Sequence, residues 1–177
     1  GSFYDIGEAV HFACKGGVLT MKQLLEILYN LQSARNAHRF LQNDLPALPR
    51  IQGLAEVISI QKKLEELIDR AIISEEEMAD GASPELRQIR RKKALTNESI
   101  RNKMNSILSS SESRTLLQDA LFTMRQGRYV IPVKQEHRNK VAGIIHDQSA
   151  TGATLFIEPQ AIVNLNNELR ELELEEK

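Results

Sequence analysis

The stretch Leu121-Phe-Thr-Met-Arg-Gln-Gly-Arg-Tyr-Val-Ile-Pro-Val-Lys134 decides the fold. Upstream of it, apolar residues recur every three to four positions, the period of a helix. Within it the period drops toward two, the period of a strand. Tyr129, Ile131 and Val133 alternate with Arg128, Val130, Pro132 and Lys134. Gln126-Gly127 splits the stretch at its centre, where a glycine suits a tight hairpin turn. Pro132 has no N–H to donate, which predicts an edge position for this strand. Two more strands follow, Val141 to Gln148 and Ala153 to Ile157, around the turn residues Ser149-Ala-Thr-Gly152.

Everything N-terminal of this sheet reads as helix. Ile6, Ala9, Val10 and Ala13 share helical spacing, and Gly16-Gly17 close that segment. Thr20 lies three residues before Gln23, a capping box. It opens a helix from Met21 to about Gln42 with Leu24, Leu25, Leu28, Leu31 and Leu41 near one stripe. Pro46 and Pro49 break the chain. Leu54 to Ile72 is expected to be a third helix, with Val57, Ile60, Leu64, Leu67, Ile68 and Ala71 facing inward. Ile73 to Gly81 is an acidic connection, and its Glu75-Glu-Glu77 reads as a solvated turn. Ser83-Pro84-Glu85 starts a helix running to about Ser109: an N-cap serine, a first-turn proline and a first-turn acid. That helix is apolar at both ends and polar from Arg90 to Ser99 apart from Ala94 and Leu95, so it reads as a strut bridging two bodies through solvent. After Pro159 a last helix carries Ile162, Leu165, Leu169 and Leu172 at steps of three and four, the seam of a coiled coil whose partner strand is missing. The expected class is therefore mainly α with a small antiparallel β-sheet over 121–157.

Composition narrows the function. The 177 residues hold 23 basic and 24 acidic side chains, a net charge of −1 that excludes a histone-like polycation. Hydrophobic residues are 41% and charged residues 27%, which is globular rather than disordered. Aromatics are only 5% and tryptophan is absent, so the core must be aliphatic. The single Cys14 excludes a disulfide framework and suits a reducing, cytoplasmic setting. No apolar run approaches the ~20 residues of a membrane span. Gly1-Ser2 reads as a protease-cleavage scar, and the uncapped helical pattern from Asn166 to Lys177 suggests a piece of a longer protein.

Charge is segregated. Residues 1–85 carry 8 basic and 13 acidic groups, residues 86–147 carry 13 and 5, and residues 148–177 carry 2 and 6. The positive middle includes Arg87, Arg90, Arg91, Lys92 and Lys93 on the strut, and Arg125, Arg128, Lys134, Arg138 and Lys140 on the β segment. A localised basic surface is the electrostatic footprint expected of phosphate-backbone binding; a solvated helix face is the better account of the strut cluster, whereas for Lys134 to Lys140 the two readings weigh evenly. Catalytic signatures are missing. There is no phosphate-binding glycine loop, His11, His38, His137 and His146 lack metal-ligand spacing, and His146-Asp147 has no nucleophile motif beside it.

The strings Gly127 to Lys134, Gly143 to Pro159 and Asn166 to Glu176, together with Ser83-Pro-Glu-Leu86, closely resemble the bacterial paralogue branch of the MutS family, across essentially the whole chain after the first two residues. That resemblance implies a helical core and lever region over 3–119 and the start of a clamp over 120–177: a small sheet at 121–157 and one coiled-coil arm at 160–177. It implies a homodimeric parent that closes around nucleic acid and couples this to an ABC-type ATPase using ATP and Mg. It also implies a C-terminal Smr-type endonuclease in that parent, and roles in suppressing recombination or acting on stalled ribosomes. The expected partner is DNA or ribosomal RNA, read by backbone and not by base. The ATPase and nuclease motifs are not in this sequence, so no catalytic residue and no cofactor is assigned to it. Lys134, Arg138, Asn139 and Lys140 are the residues here that fit the phosphate-contacting role. The competing reading is a helical protein-interaction module with no nucleic-acid role, in which seam and strut dock partner helices.

Overall fold

A computed structural model describes residues 3–43, 53 and 55–177. The Gly1-Ser2 scar, the break at Pro46 and Pro49 and the helix start at Leu54 lie outside these residues. The chain forms two compact units, residues 1–87 and 88–177.

The first unit is helical. Helix α1 spans Gly7–Cys14 and ends as its glycines require: Gly16 adopts φ +82°, and the N–H groups of Gly16 and Gly17 donate to the carbonyls of Ala13 and Phe12 at 2.9 and 3.0 Å. Helix α2, Met21–Asn43, begins with the expected capping box. Gln23 N–H donates to Thr20 Oγ1 at 3.2 Å, and Thr20 N–H donates to Gln23 Oε1 at 2.9 Å. Ile27 and Leu28 of α2 pack with Ile68 and Ile72, and Leu24, Leu25 and Leu31 lie against that cluster.

The third helix differs from its sequence reading. Helix α3 covers only Lys62–Ala71, and residues 58–61 are not helical. Val57, Ile60, Leu64 and Leu67 are exposed, and the inward positions are Glu65, Ile68 and Ile72. Ile68, Ala71 and Ile72 pack on Ile27 and Leu28 of α2, a phase that leaves Leu64 and Leu67 on the outer face and turns Glu65 inward, where Arg35 of α2 meets its carboxylate at 2.8 Å. The acidic connection after α3 folds back on itself, with Ile72 bridging Met78 and Ile73 N–H donating to Glu77 O at 2.9 Å.

Helix α4 spans Pro84–Ser109, capped by Ser83 Oγ, which accepts from Leu86 N–H at 3.1 Å. From Gln88 onward it belongs to the second unit, with the short helix α5 (Ser113–Leu116), four strands and helix α6 (Val163–Glu175). The strands are β1 (Thr123–Arg125), β2 (Arg128–Lys134), β3 (Gly143–Gln148) and β4 (Thr154–Pro159), all antiparallel, in spatial order β1-β2-β4-β3. The hairpin turn falls at Gln126-Gly127, both at positive φ (50° and 74°) as a right-twisted two-residue turn requires.

Pro132 is not on an edge strand, because β2 lies between β1 and β4. Its edge character is local. β1 pairs only with Arg128–Val130, and beyond that the outer side of β2 meets residues 117–118, where Gln118 N–H donates to Pro132 O at 2.8 Å. No strand there asks Pro132 for a donor. The sheet also curls: Arg125 at the end of β1 reaches Asp147 on the far strand β3 at 3.3 Å, and Gln126 Nε2 donates to His146 O at 3.0 Å.

Two further expectations change. The seam of α6 is covered within the chain. Ile162 and Leu169 join Ile100 and Met104 of α4, with Ile131, Val133, Leu155 and Ile157 of the sheet, in one buried cluster; Leu165 packs against it and Leu172 is buried. The polar middle of α4 is no solvent-crossing strut either. Its inward face carries Arg90, Lys93, Thr96 and Asn97; Arg90 and Lys93 meet Glu176 and Asn97 accepts from Tyr129 OH, whereas the apolar Leu95 is exposed.

Candidate nucleic-acid interface

Of the four residues selected from sequence, Arg138, Asn139 and Lys140 stand on one element, and Lys134 ends the strand before it. After β2 the chain turns through a 3-10 helix, Gln135–Lys140, and Lys134 precedes it. Asn139 and Lys140 are exposed and Arg138 is half-buried. Among the described residues no side-chain hydrogen bond or ion pair engages Arg138, Asn139 or Lys140. Lys134 is less available: its Nζ donates to Thr115 O at 3.4 Å. Lys140 also borders a cleft of about 450 Å³ lined by Ile107, Leu116, Ile131, Val141 and Pro159. The turn therefore presents cations whose electrostatic work is not spent inside the fold.

The other basic groups of the same segment are spent. Arg125 stacks over the Phe156 ring at 4.2 Å and pairs with Asp147. Arg128 binds both oxygens of Glu158, at 2.6 and 3.2 Å. On α4, Arg90 and Lys93 converge on Glu176, while Arg91 and Lys92 are exposed. The net charge read from the sequence thus overstates the free positive surface.

Sequence reading missed the densest polar arrangement in the chain. Glu158 is wholly buried at the end of β4. Besides Arg128 of β2, its carboxylate meets His146 Nε2 of β3 at 2.6 Å and accepts from Asn166 Nδ2 of α6 at 2.7 Å. Asn166 in turn exchanges hydrogen bonds with the Tyr129 backbone at 3.3 Å, and Tyr129 OH donates to Asn97 Oδ1 of α4 at 2.9 Å. Burial pushes the Glu158 carboxyl up, but the bonds from Arg128, Asn166 and His146 outweigh it and hold it below the usual carboxylate range. His146 therefore pairs with Glu158 and not with its neighbour Asp147, a structural arrangement without a nucleophile. The available signal was a glutamate inside the otherwise apolar run Leu155-Phe-Ile-Glu-Pro159, a charge that a strand buries only with a partner.

Among the described residues, no group of three or more His, Cys, Asp or Glu side chains is placed to hold a metal ion, and no helix is long and apolar enough to cross a membrane.

No protein-family model matches the chain. Curated relatives do. The chain is 48% identical over 179 residues to a protein of Alkaliphilus oremlandii named endonuclease MutS2, covering 100% of this chain and 23% of that protein. Proteins of the same name from Alkaliphilus metalliredigens and Clostridium botulinum (strain Eklund 17B) are 45% and 47% identical, over 99% and 98% of this chain and 23% and 22% of theirs. The chain thus spans less than a quarter of the length of the relatives it matches. Over its whole length it is similar to one segment of the MutS2 proteins, paralogues within the MutS family.

Proposed function

We propose that this chain is the non-catalytic lever-and-clamp segment of a homodimeric MutS-like ATPase and that it touches nucleic acid through the phosphate backbone. In this reading residues 3–119 are core and lever, residues 120–177 begin the clamp, and α6 is the root of a coiled-coil arm. ATP, Mg and an Smr-type endonuclease belong to the rest of the parent, and the relatives carry the word endonuclease in their name. The physiological roles that follow are suppression of recombination and action on stalled, collided ribosomes, with DNA or ribosomal RNA as the bound partner in the cytoplasm.

One observation carries the reading. The 135–140 turn carries Arg138, Asn139 and Lys140 with no side-chain hydrogen bond or ion pair among the described residues, while Arg125 and Arg128, at the other end of β2, are committed to carboxylates. Cations on a short rigid turn suit contacts that position a duplex without reading its bases. The test is Lys134→Ala, Arg138→Ala and Lys140→Ala together in the full-length parent. Each neutralised phosphate contributes about −0.9 to the slope of log affinity against log salt. Binding should weaken for every duplex sequence alike, and the slope should become shallower by roughly 2–3 units. Unchanged affinity and slope in a folded variant would refute the interface and leave a protein-interaction module as the better account.

A further inference from the structure

We propose that the cleft beside Lys140 takes an unpaired guanine extruded from a nucleic-acid strand whose backbone is held at the 138–140 turn. The proposal rests on the nucleic-acid reading above and adds to it a ligand class and a base preference.

The cleft, about 450 Å³, is within the size range of small-ligand sites. Its lining is mostly apolar, with Ile107, Leu116, Leu117, Ile131, Val141 and Pro159. Hydrogen bonds tie the lining together before any ligand arrives. Gln160 N–H donates to Ala142 O at 3.0 Å, and Ser113 Oγ donates to Ile107 O at 2.6 Å. A cleft held in this way loses little freedom when it is filled.

Three polar side chains of the lining are unspent. Glu112, Lys140 and Gln160 are exposed, and no side-chain hydrogen bond or ion pair engages them among the described residues. Ser110 and Ser113, by contrast, bond to each other at 2.8 Å. Lys103 brings a second cation to the rim, where its Nζ donates to Ala161 O at 3.4 Å. A fitting occupant has an anion for the lysines, a flat apolar body for the aliphatic lining, and hydrogen-bond donors for Glu112. A nucleotide combines all three: phosphate, base face and base edge.

Glu112 selects the base. An ionised carboxylate only accepts hydrogen bonds. Guanine alone among the bases carries two adjacent donors on its Watson–Crick edge, N1–H and N2–H, which match the two carboxylate oxygens. Adenine and cytosine set a ring acceptor beside their amino group, and thymine flanks its one donor with two carbonyls. In a paired duplex the guanine edge is already taken. The cleft therefore serves an unpaired guanine, and contacts of the turn with intact duplex stay independent of sequence. An unpaired base also gives up least on leaving the stack. Lys140 belongs to both turn and cleft, so one strand can engage the two together.

The experiment uses this chain and fluorescein-labelled DNA duplexes of one sequence, either perfect or with a single unpaired guanine or adenine, followed by anisotropy at low salt. The guanine bulge should bind roughly tenfold tighter than the perfect duplex, and the adenine bulge about twofold tighter. Glu112→Gln should equalise the two bulges, because an amide presents a donor as well as an acceptor. Ala142→Leu narrows the cleft and should bring both bulges down to the perfect duplex. Four results overturn the proposal: no binding of any duplex; equal binding of guanine bulge and perfect duplex; a guanine preference that survives Glu112→Gln or Ala142→Leu; or displacement of the guanine bulge by equimolar GMP, which would assign the cleft to free nucleotides. Failure of the clamp-turn reading is read separately, as an unchanged salt slope in the parent altered at 134, 138 and 140, whereas the ratio of bulged to perfect duplex affinity reports the cleft.

Discussion

Gly143 occupies the one position in the sheet where backbone meets backbone too closely for any side chain. A Cβ there would lie 2.1 Å from the Glu158 carbonyl oxygen and 2.8 Å from Ile157 Cγ2. Gly143 opposes Pro159 in the β3–β4 register, so the close approach is set by the pairing itself and cannot be relieved by a rotamer. Gly143→Ala should destabilise the second unit by about 1–3 kcal/mol, the range for forcing an extra carbon into a packed site. Thermal unfolding followed by circular dichroism measures it, and an unchanged midpoint would mean the strands separate at little cost. The same neighbourhood holds Glu158, and the two effects are distinct: one is steric, the other electrostatic.

At the scale of elements, α6 decides how the second unit is held together. An isolated helix of this length is marginal in water, so its order depends on what covers its apolar stripe. The cover is α4 and the sheet: Leu169 is 4% exposed within the shared cluster. Leu169→Ala should therefore cost about 2–5 kcal/mol. In the unmodified chain, amides of α6 should exchange as slowly as those of α4 near Ile100 and Met104, without any need for a second copy. Fast exchange along the whole of α6 in a monomer would show that the stripe is open after all. Helix α4 answers to the same logic. Its middle is polar because it faces Tyr129 and Glu176, and a polar interface between two helices has the same sequence pattern as a solvated strut.

At the scale of the molecule, acid should loosen the second unit through its buried and half-buried carboxylates. The carboxyls of Glu158 and Glu176 are both held below the usual range in the folded state. A lowered folded value means stability that is present above the unfolded carboxylate pKa and is lost as pH falls through the folded one. Stability should be level near neutrality and decline from about pH 4.5 downward. Tyr129 is the single tyrosine of residues 88–177, so a Tyr4→Phe, Tyr29→Phe background makes tyrosine emission a reporter of this unit alone. Glu158→Gln should flatten part of the acid limb. An identical pH profile in that variant would remove Glu158 from the account.

The sequence by itself determined the local grammar. Thr20 with Gln23, Ser83 with Pro84, Gly16-Gly17 and Gln126-Gly127 each fix a helix end or a turn through bonds and φ values that span a few residues, and the structure places each there. The change of period at 121 likewise fixed where helix gives way to strand, and the long identity with MutS2 segments agrees with the motifs at 127–134, 143–159 and 166–176. The basic segment 134–140 was legible as a polar stretch between two strands, and the structure places a 3-10 turn there. What only the tertiary structure decided is which charges are answered and which stripes are covered. Glu65 faces inward where Arg35 arrives from another helix, Glu158 is buried because three elements converge on it, and Arg90 and Lys93 are neutralised from more than 80 residues away. Periodicity reports the polarity of a position and not the identity of its neighbour. A buried ion pair and a solvated charge, or a paired seam and an open one, have the same letters in sequence, and only the fold distinguishes them.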